Sequence, residues 1–234
     1  MLEVDRIDTY YGEFQALKEV SVNVKEGELV VVFGPNGHGK STLLKTICGL
    51  LTPASGYVKF DGEQINGMPT QKIVGMGMVY IAEDRHLFPD MTVLENLKLG
   101  AYSPHARPKE AENLDYVFQL FPRLKDWRKR NASTLSGGEA RMLAIGRGLM
   151  SAARFLAIDE PSLGLAPMVR RDVFRTIKEI NETGISVLMV EQSVVQISEM
   201  ADRTYLMEDG RIVFEGSKDE ALKDEHVKEV FLGI

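Results

Sequence analysis

The sequence predicts an α/β fold in which a helical subdomain is inserted into a core of buried strands. Three observations carry this. Four short apolar runs end at a glycine or a polar pair, as buried strands of a parallel sheet do. The stretch from about Met91 to Met150 has helical spacing and almost no strand signal. A glycine-rich loop lies between the first of these strands and a helix.

In chain order, "ELVVVFG" (Glu28 to Gly34) is the first buried strand, and "KSTLLKTICGLL" follows as a helix ending near Gly49 and Pro53. "GYVKFDGEQI" reads as a strand and turn. "GMGMVYIAE" (Gly75 to Glu83) is the second buried strand. "TVLENLKLGAY", "PKEAENLDYVFQLF" and "GGEARMLAIGRGLM" are the helices of the middle third. "RFLAIDE" (Arg154 to Glu160) and "GISVLMVEQ" (Gly184 to Gln192) are the third and fourth buried strands. "RTYLMEDGRIVFEG" is a hairpin turning at Asp209-Gly210. These elements predict one domain over residues 1–234, with 1–85 and 154–234 as the α/β core and 86–153 as the helical subdomain. Repeats, low-complexity segments and a coiled-coil insert are absent from the sequence.

Composition narrows the function. The 234 residues are 44% hydrophobic and 26% charged, ordinary for a globular chain. The net charge of −6 disfavours a nucleic-acid partner, and "WRKR" (Trp127 to Arg130) reads as a solvated basic turn. Cys48 is the only cysteine, so no internal disulfide forms, and with Met76 and Met78 it is expected in the core. The charged start is not a signal peptide, and no apolar run approaches the ~18 residues that span a bilayer. Any work at a membrane is expected from the cytosolic side, through a partner.

Gly34-Pro35-Asn36-Gly37-His38-Gly39-Lys40-Ser41, with Thr42 next, fits G-x-x-x-x-G-K-[ST] in full. The glycines let successive N–H groups face a phosphate, and the following helix adds its dipole. Lys40 reaches the β and γ phosphates, and the Ser41 hydroxyl is a hard oxygen for Mg²⁺. Only the glycines and Lys-Ser are sterically demanded, so His38 is expected to point outward and not to catalyse. Asp159 ends a buried strand, where its carboxylate suits Mg²⁺ or a magnesium-bound water. Glu160 follows as the candidate general base. His86, His105 and His226 are scattered, without metal spacing.

"LSGGE", before an apolar helix, places Ser136 at an N-cap and bares the N–H groups of Gly137 and Gly138. It comes shortly before the Asp159-Glu160 pair, and "PSLGL" follows that pair. Together these residues resemble the nucleotide-binding subunits of ABC transporters, over essentially the whole chain. The resemblance implies a RecA-like P-loop NTPase core with an antiparallel β subdomain and the inserted helices. It implies binding of ATP or ADP with Mg²⁺, and hydrolysis of ATP. It also implies that Ser136, Gly137 and Gly138 contact ATP held by an opposite subunit, so that the whole site exists only in a dimer. Tyr11 matches the aromatic that stacks on adenine, with Tyr10 as the alternative. Ser162 to Leu165 matches the loop that speaks across the dimer. Arg85, His86, Phe88 and Pro89 match the border of a groove for a membrane subunit's cytoplasmic helix.

"EDRHLFPDMTVLENL", "LSGGEARMLAIGRGLM" and "DEPSLGLAP" further resemble one branch, the LivF-type ATPases of branched-chain (hydrophobic) amino acid importers. That branch implies a second ATPase subunit (or a second copy of this one), two membrane permease subunits and, indirectly, a periplasmic solute-binding protein, at the cytoplasmic face of the membrane. An ATPase of a lipid or lipopolysaccharide exporter shares the same phosphate motifs, and a non-transport soluble ABC ATPase is the alternative from another class. Most of the family carries glutamine at Glu83 and histidine at Gln192. Here Glu83 is expected to ligate Mg²⁺, and Gln192 to sense the γ-phosphate as a neutral donor. Glu139 stands where glutamine usually ends the signature.

Overall fold

A computed structural model describes residues 1–192, 200–221 and 223–232. The chain begins with strands β1 (Leu2–Tyr11), β2 (Phe14–Val24) and β3 (Leu29–Phe33), then helix α1 (Lys40–Ile47), β4 (Ser55–Phe60), β5 (Glu63–Gln64), α2 (Thr70–Gly75) and β6 (Met78–Ile81). Helices α3 (Val93–Gly100), α4 (Glu110–Leu120), α5 (Pro122–Asp126) and α6 (Gly137–Leu149) follow without an intervening strand. The chain then forms β7 (Phe155–Asp159), α7 (Pro167–Glu182), β8 (Ser186–Glu191), β9 (Arg203–Glu208), β10 (Arg211–Gly216), α8 (Lys218–Ala221) and α9 (Glu225–Leu232).

Two sheets result. One is antiparallel, in the order β2-β1-β4-β5. The other runs β10-β9-β3-β8-β7-β6, parallel except for the β9–β10 hairpin at its edge. All residues of β3, β7 and β8 are buried. Their side chains alternate between two cores, as a strand's period of two requires. Val31, Leu156, Ile158, Val187 and Met189 join the helices of the middle third and α7. Val30, Val32, Phe155, Ala157, Leu188 and Val190 join α1 and the antiparallel sheet. Both faces of the parallel sheet are thus covered, which explains why these strands read as continuous apolar runs.

The four buried strands and the hairpin at Asp209-Gly210 fall where their patterns place them. Residues 167–182 receive no element from the pattern reading, yet they form the longest helix. Pro167 stands at its first position, and Val173, Phe174, Ile177 and Ile180 form its buried stripe. The strand register sets the site. Phe33 of β3 lies level with Glu191 of β8, and Val190 of β8 with Asp159 of β7. Three strand ends therefore finish side by side, at the edge where ligands collect in parallel sheets.

Candidate active site

The loop from Gly34 to Gly39 leaves β3 and enters α1. Gly39 has φ of +100°, and a Cβ there would stand 2.9 Å from the Ala16 carbonyl oxygen, so the position needs glycine on both counts. The same contact sets the loop against the β1–β2 hairpin, whose strand β1 ends at the part-exposed Tyr10 and Tyr11. Lys40 is 3% exposed, and its Nζ donates to the Gly34 carbonyl at 2.8 Å and the Pro35 carbonyl at 2.9 Å. It also lies 3.5 Å from Glu160 Oε1. A buried ammonium folded onto backbone oxygens is a cation whose partners an anionic ligand can replace. His38 is not the outward residue its position suggests. It is half-buried, and its Nδ1 accepts from the Asp209 N–H at 2.9 Å, because the β9–β10 turn packs directly against the loop.

Ser41 Oγ donates to Asp159 Oδ1 at 2.9 Å. Asp159 Oδ2 accepts from the Tyr80 hydroxyl at 2.7 Å. Burial, and the bond to Asp159, push the Tyr80 phenol well above its usual range, so it stays a donor. Ser41 and Asp159 form a pair of hard oxygens. Among the described residues no group of three or more His, Cys, Asp or Glu could hold a metal. That donor set fits Mg²⁺, which takes one or two protein oxygens and completes its shell with phosphates and water.

Glu160 is 6% exposed and held at φ +39°, an uncommon conformation for a residue with a side chain. Its N–H donates to the Val190 carbonyl at 3.1 Å, and its Oε2 accepts from Gln192 Nε2 at 2.9 Å. Asp159, Glu160, Lys40, Ser41 and Gln192 thus meet at the three strand ends. Glu83 does not join them in the same way. Its side chain is exposed, and it is the backbone carbonyl of Glu83 that is held, by Arg141.

Ser136 caps α6. Its N–H donates to Glu139 Oε2 at 2.8 Å, and its hydroxyl accepts from the Glu139 N–H at 3.4 Å. Glu139 therefore closes a capping box at the helix start. Ser136 and Gly137 are exposed, whereas Gly138 is buried so close to Val169 of α7 that a Cβ would collide with it.

Pattern reading missed Arg141, which is fully buried on α6. Its guanidinium donates to the carbonyls of Ala82 at 3.0 Å, Glu83 at 2.8 Å and Glu160 at 3.2 Å. Arg147, two turns on, donates to the carbonyls of His86 at 2.7 Å and Arg85 at 2.9 Å. Burial lowers Arg141 to about 10, still well above neutrality, so it remains a cation. The helix that starts at Ser136 is thereby bolted to the loop after β6 and to the backbone of Glu160. The signal was present: Arg141 sits three residues after Gly138 and three before Ala144, inside the apolar stripe. Tyr80 and Glu191 were also missed, since each reads as an ordinary strand residue.

Beside this loop lies a groove of about 540 Å³. Arg85, His86, Phe88, Leu99, Tyr102 and Arg147 are among its lining, and Tyr102 is 82% exposed. It brings together Arg85, His86 and Phe88 of the four residues anticipated there, with Leu99 and Gly100 of α3 also in its lining; Pro89 does not line it. No helix among the described residues is long and apolar enough to cross a membrane.

The model of the family described as "ABC transporter" matches residues 17–163. The high-affinity branched-chain amino acid transport ATP-binding protein BraG of Pseudomonas aeruginosa is 43% identical over 233 residues, covering 100% of both chains. A probable branched-chain amino acid transport ATP-binding protein LivF of Archaeoglobus fulgidus is 36% identical, over 100% of this chain and 99% of the relative. The lipopolysaccharide export system ATP-binding protein LptB of Haemophilus influenzae is 29% identical, over 100% and 97%. Among solved structures, the ADP conformation of the ATP-binding cassette MJ1267 superposes with a TM-score of 0.87 at 31% identity, over 100% of this chain and 99% of that one. A dimeric post-hydrolysis cassette, MJ0796 bound to ADP and Pi, gives 0.78 at 28% identity, over 93% and 99%.

Proposed function

The chain belongs to the ABC transporter family, and from that premise we propose that it is the ATP-hydrolysing subunit of an importer for branched-chain or other hydrophobic amino acids. One observation carries the chemistry: Lys40, Ser41, Asp159, Glu160 and Gln192 meet at adjacent strand ends. The import assignment is supported by the full-length 43% identity to BraG, against 29% for the export protein LptB.

The N–H groups of the Gly34–Gly39 loop and of the start of α1 receive the phosphates. Lys40 exchanges its carbonyl partners for phosphate oxygens. Ser41 and Asp159 would hold Mg²⁺, which would neutralise phosphate charge when bound. Glu160 accepts a proton from the attacking water as the bond from the γ phosphorus to the β–γ bridging oxygen breaks. The Gln192 amide, already on Glu160, donates toward the charge that develops on the γ-phosphate oxygens. Glu83, its carbonyl held by Arg141, would offer its exposed side chain as a further ligand to Mg²⁺. Tyr11, at the hairpin beside the loop, stacks on the adenine. Ser136, Gly137 and Gly138 serve the nucleotide of an opposing ATPase subunit, which makes the working unit a dimer. Residues 86–153 move as the helical subdomain against the core of 1–85 and 154–234. The groove beside Phe88 receives a cytoplasmic helix of a membrane permease subunit, so the chain sits peripherally on the cytoplasmic face. A periplasmic solute-binding protein is then an indirect partner.

Coexpression with candidate membrane permease subunits tests this. The expected result is copurification, with ATPase activity stimulated by a solute-binding protein loaded with a branched-chain amino acid. Stimulation by a lipid instead, with no response to any amino acid, would assign the chain to an exporter.

A further inference from the structure

Glu191 ends β8 with its side chain buried to 3% exposure, yet the hydrolytic scheme above gives it no role. Its two carboxylate oxygens reach two different segments. Oε1 accepts from the backbone N–H of Ser162 at 2.9 Å. Oε2 accepts from the backbone N–H of Gln192 at 3.3 Å. Ser162 belongs to the turn that follows Glu160, a turn closed by the Leu163 N–H on the Glu160 carbonyl and the Leu165 N–H on the Ser162 carbonyl. That turn presents Leu163 at 40% exposure. Gln192 is the residue whose amide sits on Glu160.

Burying a carboxylate is costly unless its oxygens are well bonded. Burial pushes the Glu191 carboxyl above its usual range, and the nearby Glu160 charge adds to that, while the bonds from Ser162 and Gln192 pull against it. The β ladder has ended here, and among the described residues neither the Ser162 nor the Gln192 N–H meets a backbone carbonyl. A carboxylate satisfies both at once, with one oxygen on each segment. No neutral side chain of this length offers two acceptor oxygens.

We propose that Glu191 is a positioning residue that acts through Gln192. It fixes the backbone from which the Gln192 amide reaches Glu160, and ties that backbone to the exposed turn at Ser162 and Leu163. The proposal rests on the hydrolytic reading of Glu160 and Gln192.

The test is a double-mutant cycle on the full chain, with MgATP as the probe for binding and for turnover. Glu191→Gln keeps the size but sets an NH₂ group against one of the two N–H donors. The expected result is turnover lower by about tenfold, the scale of one hydrogen bond lost at a reaction centre, with MgATP affinity within about twofold of wild type. On the Gln192→Ala background the same substitution should cost nothing further, because its route is already cut. Glu191→Asp, which keeps both oxygens, should recover part of the rate, and it serves as the folded variant if Glu191→Gln unfolds. The proposal is overturned by wild-type turnover in Glu191→Gln, by equal losses on both backgrounds, or by wild-type turnover in Gln192→Ala. Wild-type turnover in Lys40→Ala would instead remove the ATPase reading itself.

Discussion

Gln192 Nε2 donates to Glu160 Oε2 at 2.9 Å, so the amide expected to sense the γ-phosphate rests on the base expected to activate water. An amide has no proton that titrates near neutrality, whereas an imidazole titrates near 6.5 when unperturbed. Gln192→Ala should lower turnover by about tenfold or more, for one lost donor to developing charge. Gln192→His should introduce a histidine-like limb into the pH–rate profile, checked by comparing the three forms from about pH 5.5 to 9. Wild-type turnover in the alanine form would show that Gln192 only ends a strand.

Lys40 and Ser136 should fail differently. Lys40, the first residue of α1, reaches back to the carbonyls of the Gly34–Gly39 loop, whereas the bonds of Ser136 run to Glu139 and Ala140 at the start of α6. Lys40→Ala should abolish tight nucleotide binding by the isolated chain. Ser136→Ala should bind nearly normally and lose hydrolysis. Titration calorimetry showing equal losses of affinity would place both residues in one site.

How far the sequence discloses this site depends on how local each piece is. The loop from Gly34 to Ser41 and the Asp159-Glu160 pair are legible because each is contiguous, the one a glycine-rich pattern between a strand and a helix and the other the end of an apolar strand. The Ser136 cap is legible because Glu139 stands three residues on. Arg141 is not, because its partners, Ala82, Glu83 and Glu160, come from segments that only the fold brings together. The contact of His38 with the Asp209 N–H spans the chain in the same way. The antiparallel sheet follows from family resemblance, since β1 and β2 are broken by irregular register and residues such as Arg6 and Glu19 at positive φ.

Arg141→Met should destabilise the fold by about 3 kcal/mol, because the carbonyls of Ala82, Glu83 and Glu160 lose a charged donor in a buried setting. Urea unfolding at pH 7 checks this. A loss below about 0.5 kcal/mol, the range of ordinary surface changes, would mean that these carbonyls find other donors.

Arg203 carries a pH-dependent share of stability. It pairs with Glu28 at 3.0 Å and with Glu215 at 2.6 Å. Burial raises the Glu28 carboxyl, but the bonds from Arg203 and Lys25 outweigh it and leave it below its usual range. A depressed carboxyl stabilises above its unfolded pKa and loses that contribution as pH falls through its folded one. Arg203→Met should therefore cost most at neutral pH and progressively less below about pH 4.3, the unperturbed value for glutamate. Unfolding free energies measured from pH 7 to pH 3 check the trend; a cost that grows toward acid would reverse the assignment.

The central claim is that each chain carries two half-sites, one around Lys40 and one at Ser136, completed only by a second ATPase subunit. The most direct measurement is the molar mass of Glu160→Gln in MgATP, by gel filtration with light scattering, alone and with its partner ATPase. Removing the base should slow hydrolysis while Lys40, Ser41 and the glycine loop still clamp the phosphates. The account predicts a dimer that accumulates with MgATP and disperses when nucleotide is removed. A species that stays monomeric at saturating MgATP, both alone and with the partner subunit, would contradict it.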